Sequence, residues 1–162
     1  MNWTGAVRTI IVCAILIVLH YTLRPLLAWR ASVDFLVVAL LLGSVRLRPG
    51  AAAVYGFLLG LVADSVTVGS FGASALAMSV VGFGASWLKA VFFADNLALN
   101  GFFLFLAKWV FDLIYLLVGH RAQGAELAMQ IFVWSPLSAA VTAAAGVIAL
   151  SLLKPLMEAR TT

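Results

Sequence analysis

The sequence predicts an all-α integral membrane protein whose helices form one bundle. Of its 162 residues, 65% are hydrophobic and only 10% are charged, and the mean hydropathy is +1.15. Such a chain has too little polar surface to cover a soluble globule. Apolar stretches long enough to cross a bilayer also follow one another from end to end, with no room for a soluble domain between them. We therefore expect residues 1–162 to form a single membrane domain.

Charged residues, prolines and glycines divide the chain into six predicted transmembrane helices, at about residues 5–27, 30–47, 50–67, 72–93, 99–119 and 127–153. The first of them begins like a secretory signal, with Arg8 ahead of an apolar run. No convincing small-x-small cleavage site follows, and the chain goes on to insert several more times. We therefore expect the first helix to be retained as a span.

The second predicted helix is the weakest of the six. Its uninterrupted apolar run extends only from Phe35 to Val45, which is about half the thickness of the hydrocarbon core. It crosses the membrane only if Arg30 and Asp34 lie in its outer turns, where their i, i+4 spacing would let them pair. The alternative is a re-entrant helix and a protein of five spans.

The basic residues predict the orientation of the six helices. Six of those outside the fifth span fall on the N-terminal side of the membrane and three on the other side, which places both termini in the cytoplasm. The two groups are Arg8, Arg46, Arg48, Lys89, Lys154 and Arg160 against Arg24, Arg30 and Arg121. Because these residues are scattered singly at helix ends, membrane topology explains the net charge of +4 better than nucleic-acid binding does.

The third predicted helix carries a polar stripe in an apolar sequence. Gly56, Gly60 and Asp64 are spaced i, i+4, i+8 and therefore lie on one face. Two glycines at this spacing let a neighbouring helix approach closely. We therefore expect Asp64 to face protein rather than lipid.

The fifth predicted helix carries Lys108 and Asp112, which are also i and i+4. An unpaired charge near the bilayer centre costs roughly 3 kcal/mol, so these residues should pair with each other or with Asp64. Two arrangements stay open. Asp34, Asp64, Lys108 and Asp112 could together build a polar cavity or a network that clamps helices. Alternatively, two separate ion pairs, Arg30–Asp34 and Lys108–Asp112, could neutralise themselves.

The sixth predicted helix has small side chains at Ser138, Thr142 and Gly146, again spaced i, i+4, i+8. A stripe of this kind favours close helix packing. The packing partner is either another helix of the bundle or another membrane protein.

The chain carries no convincing catalytic motif. Two S-x-x-K patterns, at 86–89 and 151–154, fall at cytoplasmic helix ends and lack the companion motifs of penicillin-binding enzymes, so each lysine is better explained as a membrane anchor. A Gly-Ala-Ser-Ala sequence at 72–75 lacks the next glycine of an intramembrane serine-protease loop, and His20 and His120 are expected at the membrane interface. No metal-binding or nucleotide-binding motif occurs. The sequence therefore predicts a protein that is not an enzyme, with no cofactor and no metal.

Residues 33 to 76 closely resemble the MreD family, the rod-shape-determining membrane proteins of bacteria. The resemblance rests on Asp34-Phe35, the basic turn Arg48-Pro49-Gly50, the run Gly56-Phe57-x-x-Gly60-Leu61-x-x-Asp64, and Gly69 and Gly72. The order of elements agrees with the family over essentially the whole chain. One departure is Val33 before Asp34, where the family usually has proline, and it affects the start of the second helix.

The resemblance implies a non-enzymatic scaffold subunit of the elongasome, the peptidoglycan-synthesis complex that elongates the cell. Proteins of this family reside in the bacterial inner membrane and work with MreC, with the actin homologue MreB, with the glycosyltransferase RodA and with its class B penicillin-binding transpeptidase. Their fold is similar to that of the substrate-binding subunits of energy-coupling-factor vitamin transporters, which bind small molecules in a pocket open to the outside.

Two functions follow from this resemblance. In the first, Gly56, Gly60 and the polar face around Asp34, Asp64, Lys108 and Asp112 dock a partner, and the pocket could hold a partner segment or a membrane lipid. In the alternative, the chain is the ligand-binding subunit of an ATP-driven vitamin-type transporter.

Overall fold

The computed structural model describes residues 3–23, 33–66, 71–89, 97–119 and 124–158, and every regular element in those ranges is helical, as predicted. In chain order the elements are α1 (Trp3–Leu23), α2 (Phe35–Ser44), α3 (Pro49–Val66), α4 (Ala73–Trp87), α5 (Leu97–Gly119), α6 (Gly124–Met129), a π-helical segment (Gln130–Trp134) and α7 (Ser135–Glu158). No residue separates α6, the π segment and α7, so the three form one continuous helical run.

Each of the six predicted spans coincides with a helix, the last with the run from α6 to α7. Within the described residues, three stretches are long and apolar enough to cross a membrane: Pro49–Val66, Ala98–Gly119 and Gly124–Ala149. The remaining apolar helices are shorter, at Thr9–Thr22, Phe35–Ser44 and Ala73–Trp87. An all-helical, multi-pass membrane chain is therefore confirmed. Six full crossings and the likeness to vitamin-transporter subunits stay predictions.

The short helix α2 lies at the centre of the bundle. Residues Leu36–Ser44 are all buried, as expected for a helix that is apolar on every face, and α2 contacts α1, α3, α4, α5 and α7. The predicted start of this helix at residue 30 is wrong. Asp34 has a non-helical backbone, and its carboxylate accepts the N–H of Leu36, which is how a side chain starts a helix. Asp34 is therefore the N-cap residue and not part of an outer helical turn.

The glycine stripe of α3 packs against α4. A methyl group added to Gly56 or Gly60 would come closer than 3.0 Å to backbone atoms of α4, at Met78 and Ala75 respectively. The two backbones can approach this closely only because these α3 positions lack a Cβ atom. The predicted close approach of a neighbouring helix is confirmed, and the neighbour is the next helix of the same chain.

The small-residue stripe of α7 faces into the bundle. Thr142 is fully buried, and a methyl group on Gly146 would meet Leu104 of α5 and Val38 of α2. Of the two packing partners left open by the sequence, the structure therefore provides the internal one. We call the end of the bundle where α1 and α3 end and α2 and α4 begin the capped end.

Candidate functional site

Asp34 lies at the capped end and joins three parts of the bundle. Its carboxylate Oδ1 accepts the N–H of Leu36 at 3.2 Å and lies 3.5 Å from Nδ1 of His20 on α1. Its backbone N–H donates to Oγ1 of Thr142 on α7 at 3.1 Å. Polar contacts thus tie the start of α2 to α1 and to α7. Arg30, its predicted partner, lies outside the described residues.

Lys108 of α5 is buried between two carboxylates. Its ammonium Nζ lies 2.5 Å from Oδ1 of Asp112 and 3.1 Å from Oδ2 of Asp34, and 4.8 Å from the centre of the Phe111 ring. The predicted Lys108–Asp112 pair is confirmed, whereas the alternative pairing of Lys108 with Asp64 is wrong. Lys108 contacts both Asp34 and Asp112, so the Lys108–Asp112 ion pair is not separate from Asp34. We call Asp34, Lys108 and Asp112 the ionic cluster.

The ionic cluster lines a cavity of about 210 Å³ at the capped end. This volume is far above the ~10–15 Å³ that a single water molecule requires. All of the main helical runs of the bundle contribute to its wall. The lining residues are His20, Asp34, Leu36, Ala63, Ser74, Met78, Lys108, Phe111, Asp112, Tyr115, Leu116, Gln130, Trp134, Ser135 and Ser138.

The π-helical segment forms one side of this cavity. Its first and last residues, Gln130 and Trp134, line the cavity and also line a second one of about 340 Å³, together with Glu126 and Met129. The indole N–H of Trp109 on α5 donates to the carbonyl of Ile131 at 3.3 Å, which fixes the segment against α5. Single π turns inside α-helices occur frequently at functional sites. Here the turn places Gln130 and Trp134 in the walls of both cavities.

Asp64 has a different role from the ionic cluster. It is buried, as predicted, but its carboxylate accepts three backbone N–H groups at the start of α4: those of Gly72 at 2.8 Å, Ser74 at 3.2 Å and Ala75 at 3.2 Å. Gly72 has a φ of 99°, a left-handed conformation that glycine adopts without strain. Asp64 therefore caps α4 from the end of α3 and is not among the residues that line the cavity.

The structure thus divides the six residues proposed from the sequence into two groups. Asp34, Lys108 and Asp112 come together at the cavity. Gly56, Gly60 and Asp64 instead hold α3 against α4, whose residues Ser74 and Met78 form part of the cavity wall. No single polar network contains all four predicted charged residues.

Sequence reasoning missed several residues of the site. His20, predicted at the membrane interface, is buried with 6% of its surface exposed and lies beside Asp34, while His120 is outside the described residues. The position of His20 near the end of the first apolar run gave no sign of a buried acidic partner. Gln130 and Trp134 were also missed, because π geometry has no recognised sequence signal. No group of three or more His, Cys, Asp or Glu in the described part of the chain is arranged to hold a metal ion.

Fold and site together define a class: a multi-pass helical membrane protein with an ionic cluster around a buried lysine, and a cavity, at one end of the bundle. A family model described as "rod shape-determining protein MreD" matches residues 3–159. The chain therefore belongs to the MreD family of rod shape-determining proteins. This is a family of structural, shape-determining proteins and not a known enzyme family. Comparisons with curated proteins and with solved structures found no match.

Proposed function

We propose that the chain is a non-enzymatic scaffold subunit of the bacterial elongation complex. In this role it docks MreC at the capped end and positions RodA and the transpeptidase, with the filament of MreB on the cytoplasmic side. The observation that carries the proposal is the family match over residues 3–159. The cavity at the capped end supplies a place where a partner segment could insert.

The residues at the cavity and the residues at the α3–α4 contact have different tasks in this scaffold. Asp34, Lys108 and Asp112 form the docking end, because they line a cavity. Gly56, Gly60 and Asp64 act indirectly by fixing α4 as a wall of that cavity, since α4 itself covers the glycine face. With both termini in the cytoplasm and the chain in the inner membrane, the capped end lies on the outer side, where MreC has its soluble domain.

The transporter alternative receives no support from the comparisons with known proteins. A cavity of about 210 Å³ lined by an ion pair is compatible with a small ligand, but compatibility does not favour it over a partner segment. Membership of the MreD family supports the scaffold function in addition.

The test is to purify the tagged protein from its own host in mild detergent, and to crosslink it and identify its partners by mass spectrometry. Recovery of MreC, RodA and a transpeptidase supports the proposal. Recovery of a pair of ATPases with a transmembrane coupling subunit, or of no partner at all, contradicts it.

A matched pair of variants localises the docking end. Ser138→Phe places a large side chain into the cavity lining, whereas Ser151→Phe makes the same change at an exposed position further along α7. We expect recovery of MreC to fall at least tenfold with Ser138→Phe and to be unchanged with Ser151→Phe, at equal amounts of folded protein. Equal recovery of MreC with both variants would show that MreC does not dock at this cavity.

A further inference from the structure

The arm formed by α6 and the π segment, residues 124–134, lies at the edge of the bundle. None of its residues is buried, whereas each of α1 to α5 and α7 contributes buried residues to the bundle. Yet Gln130 and Trp134 of the arm line the cavity of the ionic cluster, and Glu126 and Met129 line the second cavity with them. The arm is therefore a wall of both cavities that no buried side chain of its own anchors.

Pro136 explains why the helix has a π turn at this point. In an α-helix the N–H of residue 136 would donate to the carbonyl of Phe132, but proline has no N–H and its ring would clash with that carbonyl. A wider turn before the proline relieves this crowding. The N–H of Ser135 accordingly donates to the carbonyl of Gln130, five residues back.

The carbonyl of Ile131 loses its helical donor as a result. In an α-helix that donor would be Ser135, which donates to Gln130 instead, and in a π-helix it would be Pro136, which has no N–H. The indole N–H of Trp109 on α5 takes the place of the missing donor, at 3.3 Å. Trp109 therefore satisfies a carbonyl that the helix itself cannot satisfy, and it ties the arm to α5.

These features are those of a hinged lid. Helices bend most readily at prolines and at π turns, and both occur where the arm joins α7. Segments without buried contacts are also the ones that open at least cost, and the arm has no buried residue.

We propose that the arm is a lid on the cavity of the ionic cluster, that it turns where the π segment meets Pro136, and that the hydrogen bond from Trp109 holds it closed. The inference rests on the proposed function in one respect, that this cavity is the docking end. It adds the means by which access to the cavity is controlled.

The test measures how fast a thiol in the cavity wall reacts with a water-soluble maleimide. Ser74→Cys places the thiol on α4, at a buried position that lines the cavity, and Cys13→Ser removes the natural cysteine of the chain. Trp109→Phe keeps an aromatic ring but removes the N–H that Ile131 accepts. We expect this change to raise the labelling rate at least tenfold.

Two controls separate the opening of a lid from a general loosening of the bundle. Trp87→Phe makes the same change at an exposed position at the end of α4 and should leave the labelling rate unchanged. In protein that keeps Cys13, this thiol is buried and does not line the cavity, so Trp109→Phe should not accelerate its labelling. Faster labelling of Cys13 would show that Trp109 stabilises the whole bundle, and the lid would be wrong.

Pro136→Ala tests why Trp109 is needed. Alanine restores a backbone N–H at residue 136, so Ile131 regains a helical donor, from residue 136 in a π turn or from Ser135 in an α-helix. In this background Trp109→Phe should change the labelling rate less than twofold, which is the non-additivity expected of two residues that act on one carbonyl. A tenfold rise that persists with Pro136→Ala would contradict the proposed role of Trp109.

An unchanged labelling rate of Ser74→Cys with Trp109→Phe overturns the lid. If MreC co-purifies with the unaltered protein in that case, the scaffold function stands and only the control of access is wrong. If the labelling rate rises as expected but no partner co-purifies, the lid stands as a property of the fold and the proposed function fails.

Discussion

Two carboxylate regions at the capped end, Asp64 and the half-buried pair Asp34 and Asp112, differ in how their charge is satisfied. Asp64 accepts three backbone N–H groups at the start of the next helix and lines no cavity. Asp34 and Asp112 share the ammonium of Lys108 and lie at the edge of a cavity of about 210 Å³. In the sequence all three look alike, as single aspartates in or beside apolar helices.

The difference separates a carboxylate that stabilises the fold from carboxylates that another molecule can reach through the cavity. The carboxylate of Asp64 accepts three backbone N–H groups of one helix end, so its hydrogen-bonding capacity serves the fold. In the ionic cluster two carboxylates share the ammonium of Lys108, and a cavity provides access to them. Buried charge therefore indicates a candidate site only where the local backbone has not already satisfied it.

The largest expected effect is at the centre of the ionic cluster. Lys108→Met removes the one ammonium that Asp34 and Asp112 share, and loss of one partner from a buried ion pair typically destabilises a protein by about 3–5 kcal/mol. The free energy of unfolding in detergent measures the loss. A change below about 1 kcal/mol would mean that the carboxylates become protonated at little expense, and the cluster would then not be an ionic one.

The next largest effect is expected at the α3–α4 contact. Gly60→Ala directs a methyl group into the backbone at Ala75, and forced overpacking typically costs about 1–3 kcal/mol. Thermal unfolding of the purified variant is the measurement. Gly50→Ala is the control, because a methyl group there would meet no side chain or neighbouring helix within 4 Å. Equal melting temperatures for both variants would contradict the tight α3–α4 packing.

Asp64→Asn tests the capping role directly. The amide keeps one oxygen but turns an N–H₂ group towards a backbone donor, so at least one of the three N–H groups loses its acceptor. An unsatisfied buried donor costs about 1–3 kcal/mol. Hydrogen exchange of the amides of Gly72, Ser74 and Ala75 should accelerate. Unchanged exchange would show that the cap is not formed.

Asp112→Asn is the matched substitution in the other region and should have the smallest effect on stability. Lys108 keeps Asp34 as its partner, and the formal charge of the cluster falls to zero, so we expect a change within about 1 kcal/mol. The measurement is the free energy of unfolding of Asp64→Asn and of Asp112→Asn under identical conditions. Should Asp112→Asn prove the more damaging of the two, the roles assigned to the two regions would have to be exchanged.

The features that the sequence predicted well are local ones. Lys108 and Asp112 are four residues apart on one helix, and Gly56 and Gly60 have the same spacing, so helical geometry alone brings each pair onto one face. The positions of the helices followed in the same way from apolar runs and their interruptions. Such predictions need no knowledge of which helix lies beside which.

The remaining features depend on tertiary placement. Asp34 and Lys108 are 74 residues apart, and Asp34 and Thr142 are 108 apart, so no spacing rule connects them. The role of Asp64 was missed for another reason. Its partners are only 8 to 11 residues away, but they are backbone N–H groups made accessible by the conformation of Gly72, and a pattern of side chains does not reveal backbone donors.

The central position of α2 constrains how the protein is made. Its ten residues extend about 15 Å, half the thickness of a bilayer core, and its polar cap is satisfied by Lys108 and Thr142, which the ribosome adds much later. Until those residues emerge, Asp34 lacks these two contacts, although His20 of α1 has already been made. The polar contacts at the start of α2 are therefore completed only after the C-terminal helices have been made.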